Sequence, residues 1–307
     1  MPRIKGSILC LLLSTIPSLF AHVGDQGMSA PPTAVLTARL DYDSEVSITE
    51  SGNKRIIKSN GIPNHRVGRF PNPGNPNRIT PQNHNYQMPL KPRENSRFTR
   101  YGGIFGIAVN GVPFEPGTAE TWKGDRNWRE EAIVKGKRRL GLDDSNAHVQ
   151  PTGAYHYHSV PWGLIKQLRK SGVEQTPLLI GWAADGFPIY FDKGAKSSWQ
   201  LKSGKRSGGP GGRHDGTYTA DYEYVAGSGH LDEANGREGT TTEYPEGTYY
   251  YCITEDFPFL GRVSRGTRDS SFQQRRGGPG GPGGQRPNGP GGNRPPHPPG
   301  HRPPHPF

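Results

Sequence analysis

Tyr155-His156-Tyr157-His158 is the one stretch of this chain whose residue types and spacing look like chemistry. Side chains alternate between the faces of an extended strand, so His156 and His158 share one face and Tyr155 and Tyr157 the other. Two imidazoles on one face are half of a transition-metal site, and Zn or Cu held by neutral imidazole wants three or four ligands. His148 is the best third ligand, ahead of the same strand across a turn at Pro151-Thr152-Gly153. His65 and His230 are outside candidates. Asp143, Asp144 and Asp185 could be ligands, partners that orient an imidazole, or a general base. Tyr155 and Tyr157 are expected in the core. The competing reading places His156 and His158 on a solvent face or on turn carbonyls. Asp143-Asp144-Ser145-Asn146 gathers oxygen ligands that suit Ca, but it lacks the twelve-residue EF-hand pattern, and an Asx turn or cap is its simpler use. The chain has no nucleophile elbow, no phosphate-cradling glycine loop and no HExxH helix. No nucleotide cofactor is therefore expected, and whether the protein is an enzyme is left open.

The histidine segment has an altered second copy. Gly106-Ile107-Ala108-Val109-Asn110-Gly111-Val112-Pro113-Phe114 matches Gly181-Trp182-Ala183-Ala184-Asp185-Gly186-Phe187-Pro188-Ile189, each an apolar run ending in an Asn/Asp-Gly hairpin signal. Leu142 to Asn146 matches Leu231 to Asn235, and Pro151 to His158 matches Pro245 to Cys252, in the same order. Two β-units, about 101–165 and 176–262, are expected to pack about a pseudo-twofold axis. In this alignment His148 faces Arg237, His156 faces Tyr250 and His158 faces Cys252, whereas Tyr155 and Tyr157 are kept as Tyr249 and Tyr251. Residues kept in both copies read as core and turns. Residues kept together in one copy read as a site.

The elements that position these residues are mostly strands. The fold class is mainly β, with two or three short helices. Strands are expected at 35–40, 45–49, 104–109, 178–183, 218–225 and 248–254, and helices at 128–140 and at 162–170, the latter stopped by Gly172. Residues 60–95 are rich in Asn, Pro and Gly and read as an extended arm within an N-terminal region of 22–100. The duplicated core spans 101–266. Within it 203–213, with Gly208-Gly209-Pro210-Gly211-Gly212, reads as a disordered surface loop.

Residues 1–21 read as a secretory signal, with Arg3 and Lys5 before an apolar run to Phe20 and a small residue at Ala21. The run is short for a membrane span, and Cys10 lies too early for a lipoprotein anchor. The mature chain is then secreted or periplasmic and keeps a single cysteine, Cys252, which reads as a small buried hydrophobe. From 267 onward a Gly/Pro/Arg/His-rich tail is expected to be disordered: of residues 277–307, 10 are Gly and 11 are Pro. His297, His301 and His305 recur there every fourth residue. The net charge of +11 is concentrated at the ends, since Arg3 and Lys5 supply +2 and residues 270–307 supply +5 with no acid. This argues for an anionic polysaccharide or cell-surface partner over nucleic acid.

The motif and its surroundings resemble the YHYH domain family. The resemblance runs from Ser59-Asn60-Gly61-Ile62-Pro63-Asn64-His65 through the Asn72 to Asn77 loop, Trp128 to Ala132 and Asn146 to His158. It continues through Ala184 to Tyr190 and Leu231 to Arg237, and ends near Phe257-Pro258-Phe259. It implies an exported, strand-rich domain and no particular reaction. It also implies that cysteines stand where this chain has Ala234 and near Val263, so that a disulfide is missing here. The rival to a metal site is a non-catalytic module that recognises glycan or protein through Trp122, Trp128, Trp162 and Trp182.

Overall fold

The computed structural model describes residues 40–273. The expected signal at 1–21, the strand at 35–40 apart from Leu40, and the tail beyond 273 with His297, His301 and His305 lie outside the described residues. Those described are β-rich, and no helix among them is long and apolar enough to cross a membrane.

An eight-stranded sheet carries the fold. Its order is Gly236–Gly239, Thr248–Ile253, Pro188–Phe191, Leu178–Ala183, Gly106–Ala108, Pro113–Phe114, Tyr155–Tyr157, Ala147–Val149. The pairing has the same sense read from either end. The central pair, Leu178–Ala183 with Gly106–Ala108, is antiparallel. Moving outward, each side meets an antiparallel hairpin partner, then a parallel neighbour, then an antiparallel edge strand. Gly106 and Gly181 sit in the central pair, where a Cβ would strike the carbonyls of Trp182 and Ile107. Only glycine lets the two backbones approach there.

One face of the sheet buries Phe114, Tyr157, Ile180, Ile189 and Tyr251 under the helix Trp162–Lys170, which contributes Leu164 and Ile165. That helix ends at Gly172 (φ 84°), with Val173 N–H on the Leu168 carbonyl and Gly172 N–H on that of Arg169, a Schellman stop. The other face packs Ile107 and Trp182 against Ile57, Tyr86 and Met88 of a three-stranded antiparallel sheet, Val46–Ser51, Lys54–Ser59 and His84–Pro89. Phe272 closes this second cluster, and Asp269 pairs with Lys54 at 2.8 Å. The folded chain therefore runs on to Gln273, past the expected boundary at 266.

Four further expectations differ from the structure. Residues 128–140 are not helical: Lys135 (φ 50°) and Gly136 (φ 72°) form a two-residue turn between Ile133–Val134 and Lys137–Arg138. Within 60–95, His84–Pro89 and the start of Glu94–Arg100 are strands. Tyr86 and Met88 point inward while Asn85 and Gln87 hide the alternation. In 218–225 only Tyr222–Tyr224 is strand, after a 3-10 turn at Thr219–Asp221. Residues 203–213 are ordered around Arg206, whose guanidinium bonds both carboxylate oxygens of buried Asp221 at 2.7 and 2.6 Å and that of Asp215 at 2.6 Å. Gly209 lies against the Trp128 indole. At the sheet border, the amides of Asn75 and Asn77 donate to the outward carbonyl of Val149 at 2.9 and 2.7 Å.

Candidate metal centre

Tyr155 and Tyr157 are buried, and their hydroxyls are tied from the core side. Asp143 accepts from the Tyr155 hydroxyl at 2.7 Å and from the backbone N–H groups of Gly68, Ser145 and Ala147. All its bonds point inward, the Asx-turn role, so this loop is not arranged as an oxygen cage for Ca. Tyr157 accepts from Asn110 at 3.0 Å and donates to His65 Nε2 at 2.6 Å, while His65 Nδ1–H donates to the Arg66 carbonyl. With both tyrosines fixed on one face, His156 and His158 must project from the other.

The register Tyr155↔Val149, His156↔His148, Tyr157↔Ala147 puts His148 directly across from His156. The three rings form a near-equilateral triangle, with centroid separations of 4.7, 4.7 and 4.8 Å. One ligand nitrogen from each lies within 4.8 Å of the others. His148 Nδ1–H donates to the Leu140 carbonyl at 2.9 Å and His156 Nδ1–H to that of Ala154 at 3.3 Å. Leu140 takes a positive φ of 56°, which helps aim its carbonyl. These bonds leave each Nε2 with a free lone pair, the arrangement that outer carbonyls impose on metal-binding histidines. His148 Nε2 and His158 Nε2 stand 3.0 Å apart. Two ligands on one tetrahedral Zn stand roughly 3.3 Å apart for Zn–N near 2.0–2.1 Å. Without a metal the same spacing is an N–H···N bond, donated by His158. That tautomer leaves His158 Nδ1 buried without a closed hydrogen bond.

All three imidazoles are held neutral. Burial, then the neighbouring His148, pushes His156 down to about 3. Burial, then His156, His148 and Arg262, drives His158 well below the usual value, and burial lowers His148 against the pull of the Leu140 carbonyl. Neutral imidazole is the metal-binding form, and an all-nitrogen borderline donor set suits Zn or Cu far better than Ca or Mg.

The structure gathers His148, His156 and His158 and none of the other candidates. His65 and Asp143 lie on the tyrosine side. Asp144 is exposed and pairs with Arg138 at 2.7 Å. Asp185 accepts from Tyr251 at 2.5 Å in the other half of the sheet, and exposed His230 accepts from Lys196 N–H. The tryptophans have separate settings: Trp182 is buried under Arg55, Trp128 is covered by Gly209, Trp122 is half-buried, and Trp162 packs on Phe191. Sequence reasoning missed Leu140, whose carbonyl orients His148. It also missed Glu115 and Gln150, whose side chains bond each other at 2.5 Å across the histidine strand. Their signal is register, which needs the parallel pairing Phe114↔Tyr157.

A family model described as YHYH protein matches residues 85–266. No curated protein and no solved structure matches the chain.

Proposed function

The chain belongs to the YHYH family, and we propose that it is an exported protein that binds a transition metal, zinc or copper, through His148, His156 and His158. The observation that carries this reading is the triangle of neutral imidazoles with two Nδ1–H groups committed to backbone carbonyls. The residues fit the ion. A bound metal would supply Lewis acidity and, with three protein ligands, an open position for an exogenous ligand. His148 and His156 keep their protons on Nδ1, and the buried strand pair excludes water from two of the three rings. Export rests on the leader-like residues 1–21.

We also infer that the two halves of the sheet arose by duplication. Several of their hydrogen bonds fall at matching positions. Asn146 and Asn235 both have positive φ (55° and 59°), and their carbonyls accept from His158 N–H and Cys252 N–H, each at 2.8 Å. Asp143 holds Tyr155 as Asp232 holds Tyr249, and Asn110 meets Tyr157 as Asp185 meets Tyr251.

Metal analysis tests the site. The full-length chain with His297, His301 and His305 changed to Ala is expected to retain one Zn or Cu per molecule after exhaustive dialysis. Adding His156→Ala/His158→Ala is expected to abolish it. Equal metal content in the two proteins would exclude the triad as the site.

A further inference from the structure

The histidine face holds one carboxylate with no assigned role. Glu115 follows Phe114, the parallel register partner of Tyr157, so alternation turns its side chain to the face of His156 and His158. Its N–H bonds the Tyr157 carbonyl at 2.9 Å. Gln150, two residues beyond His148, donates its amide to Glu115 Oε2 at 2.5 Å. The strand Tyr155–Tyr157 lies between the two strands that these residues extend. The Gln150–Glu115 bond therefore passes over the histidine-bearing strand. Glu115 stands outside the set of ligand atoms that cluster within 4.8 Å. Among the described residues it forms no ion pair, and Arg129 acts on it only at longer range. Burial, against the pull of Gln150 and Arg129, pushes its carboxyl up to about 7.

The other half of the sheet differs at both register positions. Ile189 is the parallel partner of Tyr251, as Phe114 is of Tyr157, so Tyr190 occupies the place of Glu115. Gly239 occupies the place of Gln150 by the same register. There the face is filled by the Tyr190 and Tyr250 rings, 5.2 Å apart. Neither register position carries a carboxylate or an amide there, although the Tyr190 hydroxyl donates to Glu243, which also accepts from the Gln175 amide.

A divalent ion among three neutral imidazoles carries two uncompensated charges into a largely desolvated site, and a half-buried carboxylate that ionises without a cation carries one of opposite sign. Each is costly alone, and the two offset one another when present together. We propose that Glu115, held in place by Gln150, is the anionic counter-charge of a divalent cation bound at His148, His156 and His158. This rests on the metal-site reading above. When the cation enters, the Glu115 proton leaves to solvent and the carboxylate remains.

The test uses the full-length chain lacking the three tail histidines, with Zn(II) as probe. Affinity is measured by competition with a chromophoric chelator, and proton release by calorimetry in two buffers of different ionisation enthalpy. At pH 6, Glu115→Gln is expected to bind one Zn about tenfold to hundredfold more weakly and to release roughly one proton fewer, with no loss of apo-protein melting temperature. Gln150→Ala is expected to weaken binding in the same direction, and it serves if the first variant does not fold. Exposed Glu246→Gln, in the other half of the sheet, is expected to leave both quantities unchanged. Wild-type affinity and proton count in Glu115→Gln would overturn the counter-charge role and leave the triad standing. Absence of Zn binding in the parent protein would overturn both.

Discussion

The two halves of the central sheet share a backbone and differ on one face. In the first, His148, His156 and His158 converge, and Glu115 and Gln150, which extend the strands either side of the histidine strand, bond each other. In the second, Arg237 takes the place of His148. It donates to the Tyr250 hydroxyl at 2.6 Å and pairs with Asp192 at 2.7 Å, beside buried Cys252, whose thiol burial pushes up to about 12. The opposite face is nearly the same in both: an Asp that accepts from a tyrosine hydroxyl, two buried tyrosines and a left-handed Asn. The scaffold needs the tyrosine face. The histidine face is free to carry either chemistry or an ordinary packed core with one ion pair.

Exchanging the faces tests this most directly. Giving the first half the residues of the second, His148→Arg/His156→Tyr/His158→Cys, is expected to remove bound metal completely while the far-UV circular dichroism stays that of a β protein. Retained metal would show that the scaffold, not the face, holds it. The reverse exchange, Arg237→His/Tyr250→His/Cys252→His, is expected to raise metal content from one to two. The new site should be weaker by about tenfold or more, because Tyr190 and Gly239 supply no carboxylate and no amide. Equilibrium dialysis would read both.

The shared face can be weighed as well. Asp143→Ala strands three buried N–H groups and a tyrosine hydroxyl, and should cost about 3 kcal/mol or more in urea unfolding. Asp232→Ala strands only the N–H groups of Ala234 and Gly236 and the Tyr249 hydroxyl, so it should cost less. Equal costs would mean that the Gly68 bond, which ties the Asn/Pro-rich arm to the first half, contributes nothing.

Acid–base behaviour should also distinguish the halves. The Glu115 carboxyl is raised from 4.5 to about 7, so the folded apo-protein holds this proton where the unfolded chain has lost it. Its contribution is complete below pH 4.5 and is lost as pH rises toward 7. The stability difference between wild type and Glu115→Gln should therefore change across that window and be flat outside it, as denaturant midpoints at several pH values would show. The smallest effect is expected for Tyr250→Phe, which removes one hydrogen bond to Arg237, at about 1 kcal/mol.

Much of this was legible in local patterns. The strand Leu178–Ala183 is an unbroken apolar run with its expected bounds, and the helix Trp162–Lys170 carries its own stop at Gly172. The histidine pair followed from period-two alternation, and His148 from the turn that returns the chain beside it. What failed depended on partners distant in sequence. The helix-like run at 128–140 is opened by Glu131, which is held by Thr219 at 2.6 Å and Arg262 at 2.7 Å. His84–Pro89 reads as polar until Lys54–Ser59 is placed beside it. Glu115 joined the site only through a parallel pairing, which no hairpin signal announces.

The amides of Asn75 and Asn77 have a consequence beyond their two bonds. The strand Ala147–Val149 is a border whose Ala147 N–H and carbonyl are taken by Asp143, and a free outward carbonyl at Val149 would offer a template on which another extended chain could stack. Both amides occupy the Val149 carbonyl, so the border nearest the three imidazoles presents no free acceptor at that position. An arm that looks like filler in the sequence thereby caps the rim of the sheet beside its own centre.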